Sequence, residues 1–168
     1  EVYRSVYNTI GTPGSSIVTN ETYTDGVAKM TNVGAGDGLV AVLDPKAMSK
    51  IVSANFAIFN LPGGNRNFET GQFSGEQFGI DKWFQDPFMP THTTGTFTAS
   101  TPVISGASQT GSTLTISGMG TYALKAGDTF KIAGVNSVNP VGKNDTGDLQ
   151  EFSLTVDVAG SSTATLTF

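Results

Sequence analysis

Short segments in which apolar residues alternate with threonine and serine dominate the sequence from residue 96 onward. They are TFTAS, TLTIS, DTFKIAGV, EFSLTVDV and TATLTF, and glycine-containing stretches divide them. A period of two is typical of antiparallel strands with one buried and one solvated face. Several such strands, spaced about ten residues apart, predict a small antiparallel barrel or sandwich.

One stretch, LKAGDTFKIAGVNSVNP at residues 124–140, indicates how two of these strands are set in register. Gly127 and Asp128 form the predicted turn, because glycine and aspartate suit the backbone angles of tight turns. A slip of one residue would turn the apolar side chains to water, so this turn fixes which face is buried. The predicted core residues are Phe130, Ile132, Phe152, Leu154, Val156 and Val158.

The first half of the chain mixes helix and strand signals. DPKAMSKIVSAN predicts a helix, with Asp44 as N-cap, Pro45 at the first helical position and an apolar face that includes Met48, Ile51 and Val52. LVAVL, at 39–43, predicts a buried strand, and FGIDKWF, at 78–84, predicts another. Residues 11–38 predict a loop with one helical turn near DGVAKM. The fold class expected is therefore mainly β, with an α+β first half.

Composition excludes several functional classes. The net charge of −5, with charged residues at 14%, leaves no overall basic surface to neutralise phosphates, so sequence-specific nucleic acid binding is not expected. The absence of cysteine excludes thiol catalysis and disulfides. The apolar runs are too short to span a bilayer, and no membrane role is expected. The chain begins with Glu1 rather than Met, and we expect it to be a piece of a longer protein.

Candidate chemical sites lack a supporting motif. His92 is the single histidine and is expected to be a solvated loop residue, because no second ligand completes a metal shell. VGAGDGLVA at 33–41 is rich in glycine but precedes a strand, whereas phosphate loops follow one and open a helix. NDTGD at 144–148 offers oxygen ligands without the spacing of a calcium loop. No catalytic, cofactor or metal site is therefore predicted.

Two other functional classes stay open from the residues alone. Trp83, with its neighbours Phe84 and Phe88, could stack on a sugar in a secreted carbohydrate-binding or adhesin module. Asp81 and Glu76 could act as the paired carboxylates of a hydrolase. In both cases core packing or a strand end is the simpler interpretation of the same residues.

The loop at 139–149 is the predicted contact surface. Pro140, two glycines and the alternating charges of Lys143, Asp145 and Asp148 predict an exposed, mobile segment. Those three charged residues are our candidates for contacts between subunits.

A family resemblance connects these features. The run from GSTLTISGMG to the final TATLTF resembles the insertion domain of the coat (major capsid) proteins of P22-like short-tailed phages. The resemblance rests on the turn at 127–128, the strand FKIAGV with Gly134, and the loop VNPVGKNDTGDLQEF. It extends upstream through VLDPKAMSKIV and FGIDKWFQDPFMPTHTTGTFTAS.

The resemblance implies a structural, non-enzymatic protein without cofactors. It implies that 1–91 is part of the tailed-phage capsid fold and 92–168 is an inserted antiparallel β-barrel, completed beyond Phe168. The barrel would aid subunit folding, capsid size control and intersubunit contacts. The implied partners are other coat copies and, through the parent chain, scaffolding protein, in a virion assembled in the host cytoplasm. The family's long charged loop is absent, because 102–115 is short and uncharged.

Overall fold

The computed structural model describes residues 6–12, 14–15, 17, 19–54, 71, 75–98 and 101–168. In this part of the chain the elements are α1 (Asn20–Asn32), β1 (Val40–Leu43), α2 (Pro45–Ala54), β2 (Lys82–Gln85), β3 (Thr96–Phe97), β4 (Val103–Ile104), β5 (Thr113–Leu124), β6 (Thr129–Val138), β7 (Asp145–Ser153) and β8 (Val158–Thr167). The fold is mainly β with two helices, which confirms the predicted class. The strands of the described ranges do not close into a barrel.

The chain divides into two compact units. The unit that we call the β unit comprises the described residues of 1–9, 90–137 and 147–168. The other, the helical unit, comprises the described residues of 10–89 and 138–146. Each has its own cluster of buried apolar side chains. The boundary predicted between residues 91 and 92 stays a prediction.

The helical unit is built on a parallel pair of strands. β1 and β2 pair in register from Val40 opposite Lys82 to Leu43 opposite Gln85. The predicted helix is confirmed as α2: the Ala47 N–H donates to Asp44 Oδ1 at 3.3 Å. Its buried face contributes to the core of this unit, which consists of Tyr23, Met48, Ile51, Val52, Ile80 and Trp83. The expectation that LVAVL is fully buried is wrong, because Val40 and Val42 are exposed.

Helix α1 corrects the expectation of a loop at 11–38. It is 13 residues long, and Tyr23 is buried while Val27, one turn later, packs against the same core. Packing of this face outweighs the low helix propensity of Gly26. The helix ends in a Schellman motif, in which Gly34, at φ 87°, donates to Thr31 and Ala35 donates to Met30.

The sheet of the β unit is organised around β5. Strand β8 pairs antiparallel with both halves of β5, while β3 pairs with the second half and β4 with the first. The register shifts between Ser117 and Thr121, where Gly118 and Gly120 have positive φ. A Cβ at either glycine would also meet the carbonyl oxygen of Thr101 or Thr98. This bulge bends β5 and lets it serve two short partner strands on one edge.

Strands β6 and β7 form a separate hairpin, and the chain turns away after it. EFSLTVDV was expected to be one strand, but β7 ends at Ser153 and β8 begins at Val158. Leu154 exchanges backbone hydrogen bonds with Gly127 and Asp128 at 2.7 and 2.9 Å, which holds the chain against the preceding turn. Val156 consequently points outward and is 54% exposed, so the prediction that it is a core residue is wrong.

Candidate functional site

The turn at Lys125–Asp128 joins β5 to β6, where the sequence predicts one. The Asp128 N–H donates to the Lys125 carbonyl at 3.0 Å, and Gly127 adopts φ 98°, a value that suits glycine. The Lys125 N–H in turn donates to Asp128 Oδ2 at 2.8 Å. The aspartate therefore closes the turn through its side chain as well as its backbone.

The Asp128 carboxylate also accepts hydrogen bonds from the segment that precedes β3. The Gly95 N–H lies 3.2 Å from Oδ1 and 3.0 Å from Oδ2, and His92 Nε2 donates to Oδ1 at 2.8 Å. The carboxylate is only 13% exposed. A Cβ at Gly95 would collide with the Ala123 carbonyl oxygen and with Leu124. His92 is thus a partner of the turn rather than the solvated loop residue expected.

Three aromatic rings pack beside this turn. Phe130 stacks on Phe152 with ring centroids 5.5 Å apart, and Phe168 meets them edge-on at 5.8 and 5.0 Å. Phe130 and Ile132 are half-buried against the core of the β unit, and Leu154 is 1% exposed within it. Such contacts between rings stabilise beyond the area that they bury.

An open apolar cavity of about 500 Å³ lies within the β unit. Its lining includes side chains from β3, β4, β5 and β6, among them Phe97, Ile104, Ile116, Phe130 and Ile132. The two inward residues of β6 therefore face both the core and this cavity.

Sequence alternation gives no sign of the burial of Glu151 on β7. Its side chain is 1% exposed, and Oε1 forms an ion pair with Lys131 Nζ at 2.9 Å. Oε2 accepts hydrogen bonds from the Thr9 N–H at 2.6 Å and from the Thr9 hydroxyl at 2.9 Å. Position 151 alternates with Phe152, and the sequence pattern would place it in water.

The hairpin tip between β6 and β7 is a short ordered turn. Asn139 Oδ1 accepts from the N–H groups of Val141 and Gly142, and the Lys143 N–H donates to the Asn139 carbonyl at 2.9 Å. The loop expected at 139–149 is shorter than predicted, because β7 begins at Asp145.

The charged residues of that predicted loop therefore sit on two kinds of structure. Lys143 lies in the turn, with φ 57°, whereas Asp145 and Asp148 lie on β7. All three are exposed.

The aromatic residues suggested for sugar binding do not form one exposed surface. Trp83 is buried, with its ring 5.6 Å from that of Tyr23 in an edge-on contact, whereas Phe84 and Phe88 are exposed. Trp83 consequently belongs to the core rather than to a stacking platform. Among the residues that the structure describes, no three His, Asp or Glu side chains come together to hold a metal ion.

Tyr23 occupies an unusual environment in the same core. Burial, and secondarily the charge of Asp44, raises the pKa of Tyr23 above its ordinary value. Its hydroxyl is buried without a hydrogen-bond partner among the described residues. Within those residues, neither helix is long and apolar enough to cross a membrane.

One family of known proteins matches nearly the whole chain. The family model described as "P22 coat protein - gene protein 5" matches residues 9–167. The match covers both units, including the Asp128 turn and the hairpin tip. No curated protein matches the sequence.

Proposed function

Because this chain belongs to the P22 coat protein family and is a structural protein of a phage capsid, we propose that its β unit supports folding of the coat subunit. Proteins of this family assemble with other coat copies into the capsid of the virion. We propose further that residues 92–168, which include the tip of the β6–β7 hairpin, take part in capsid size control and in contacts between neighbouring subunits. In this proposal 92–168 is the inserted β domain and 1–91 is part of the capsid fold.

The observation that carries the folding role is the separate core of the β unit. Leu114, Met119, Tyr122, Leu154, Ala164 and Leu166 form a cluster distinct from that around Trp83. The Asp128 turn fastens this unit through its own side chains and backbone. A unit with its own core can fold as a module and present its strands to the rest of a subunit.

The hairpin tip supports the contact role. Lys143 lies in a turn held by Asn139, whereas Asp145 and Asp148 lie on β7; all three are exposed, and together they carry both signs of charge. Surface charges of this kind contribute little to the stability of a single chain, but they select and orient a partner. A neighbouring coat copy is the partner that the family implies.

Particle yield from the full-length coat protein tests the folding role. Phe130→Ala should aggregate or give few particles on a gradient, because it removes one of three mutually packed aromatic rings. Phe88→Ala is the matched control, since Phe88 is 89% exposed and should assemble at the parent's yield. Full particle yield from Phe130→Ala would refute the folding role.

Charge reversal tests the contact role. Lys143→Glu should unfold like the parent, within about 0.5 kcal/mol, as expected for a surface substitution, while it changes the stability or size of particles. Lys46→Glu, at another exposed lysine, should leave the particles unchanged. If Lys143→Glu gives parental particles, or greatly destabilises the isolated chain, the tip is not a contact between subunits.

Other features follow from a structural role in this proposal. Scaffolding protein would contact the parent chain, and assembly would take place in the cytoplasm of the bacterial host. The net charge of −5 favours no sequence-specific contact with nucleic acid, and we propose no membrane partner. Neither enzymatic activity nor a cofactor is part of the proposed function.

A further inference from the structure

Near the end of strand β7 one face is buried and the other is half-buried. A two-stranded antiparallel hairpin ordinarily packs one face on a core and leaves the other to water. Phe152 belongs to the aromatic cluster, yet Glu151 and Ser153, its neighbours on the opposite face, are only 2% and 9% exposed. Something other than the sheet must cover that second face.

Residues 6–9, which we call the strap, provide this cover. The backbone N–H and the hydroxyl of Thr9 both reach Glu151 Oε2. Tyr7 lines a small cavity together with Glu151, Phe152 and Ser153. The strap belongs to the same compact unit as Glu151, although Thr9 precedes Glu151 by 142 residues.

The charge of Glu151 explains why this contact is specific. A carboxylate withdrawn from water is strongly destabilising unless its oxygens are paired and hydrogen-bonded. Lys131 neutralises the charge at Oε1, and the two donors of Thr9 satisfy Oε2. Displacement of the strap would remove both donors from Oε2 and open the carboxylate to solvent.

We propose that residues 6–9 form a strap that closes the outer face of the β6–β7 hairpin, and that Glu151 is the positioning residue that holds it. The inference rests on the proposed function, because it concerns the same folding module. It extends that module to a segment far outside 92–168. The β unit then reaches its final structure only when the strap has docked.

Amide hydrogen exchange at Thr9 measures the contact directly. Thr9 lies in no helix or strand, so exchange of its N–H reports on the hydrogen bond to Glu151. We expect Glu151→Gln, in the 168-residue chain, to speed this exchange at least about tenfold, since bonds to a charged acceptor are the stronger ones. Amides in β5 and β8 should keep their protection. Glu76→Gln, at an exposed glutamate, is the matched control and should leave Thr9 unchanged.

A second variant keeps the test decisive if Glu151→Gln fails to fold. Thr9→Val retains the ion pair of Glu151 with Lys131 and removes only the hydroxyl donor, and it should speed exchange at residue 9 several-fold. A change below about twofold at residue 9 in the folded Glu151→Gln chain would overturn the proposal. If the Glu151→Gln chain does not fold, a change in exchange below about twofold at residue 9 of Thr9→Val would overturn the proposal.

The strap and the folding role can fail separately. Unchanged exchange at residue 9 would remove the strap and leave the particle yields of the proposed function untouched. Conversely, full particle yield from Phe130→Ala would refute the folding role, while accelerated exchange in Glu151→Gln would still support the strap.

Discussion

Removal of the Asp128 carboxylate should destabilise the β unit more than removal of any other solvent-accessible carboxylate in the turns of that unit. Asp128→Ala takes the acceptor from three donors: the N–H groups of Lys125 and Gly95 and the Nε2 of His92. Hydrogen bonds to a charged group contribute about 1.5–3 kcal/mol each when buried and less when water can replace the acceptor. Lys125 is exposed and His92 is 27% exposed, so the hydrogen bonds that these two residues donate to Asp128 contribute free energies at the lower end of this range.

We therefore expect a total loss of about 3 kcal/mol for Asp128→Ala, with most of it from the Gly95 N–H, which is held against backbone. For a chain of this length that corresponds to a fall of about 6–12 °C in melting temperature. Asp128→Asn retains one acceptor oxygen and should lose about half as much, roughly 1.5 kcal/mol.

Asp157→Ala is the matched control for this prediction. Its carboxylate is 66% exposed and accepts one backbone N–H, that of Ala126, at 2.7 Å. We expect a loss of about 0.5–1 kcal/mol. Urea unfolding followed by circular dichroism measures the loss of helices and strands in both units, and fluorescence of the single tryptophan, Trp83, follows the helical unit alone, so a loss seen only by circular dichroism is assigned to the β unit. A loss in Asp128→Ala no larger than that in Asp157→Ala would refute the reasoning.

Three further predictions follow from packing and burial. Gly95→Ala should unfold the β unit or lower its melting temperature more than Asp128→Ala does, because a Cβ there collides with backbone, whereas Gly36→Ala, in open space, should melt like the parent. Phe130→Ala should cost about 2–3 kcal/mol in urea unfolding, less than a fully buried aromatic because Phe130 is half-buried, and Phe88→Ala should cost under about 0.5 kcal/mol. The raised pKa of Tyr23 means that its contribution to stability is complete below about pH 10 and is lost as pH rises through the folded value. Tyr23→Phe should therefore reduce the loss of stability at alkaline pH. At pH 7 it should be neutral or stabilising by up to about 1 kcal/mol, because it removes a buried hydroxyl. A steeper loss of stability at alkaline pH in Tyr23→Phe would contradict this prediction.

Local sequence signals sufficed where they were complete within one element. Asp44 and Pro45 mark the start of α2, and its apolar residues repeat at helical spacing, so the helix is predicted from a dozen residues. Helix α1 has an end signal in Gly34 but an interior weakened by Gly26 and several threonines. Its stability comes from Tyr23 and the core that it meets, and this contribution is invisible in the local pattern.

The candidate site divides in the same way. The Gly127–Asp128 turn follows from the local sequence, whereas its tie to His92 and Gly95 joins segments 33 and 36 residues apart. Alternation placed Val156 in the core by continuing β7, and only the backbone bonds of Leu154 to the preceding turn reveal that the strand stops. Contacts between distant segments determine where these side chains lie, and the alternation of apolar and polar residues along the sequence does not reveal such contacts.

The tie between Thr9 and Glu151 has a consequence for synthesis of the chain on the ribosome. The two residues are 142 positions apart, and translation at about 5–20 residues per second needs roughly 7–30 s to cover that distance. Throughout this interval the early segment has been made but its binding surface has not. Val6 and Tyr7 remain half-exposed even in the finished structure, so docking of this segment withdraws little of their apolar surface from water. Capture of Thr9 by Glu151 must therefore wait for β7, and β8, which pairs with β5, is made only after it.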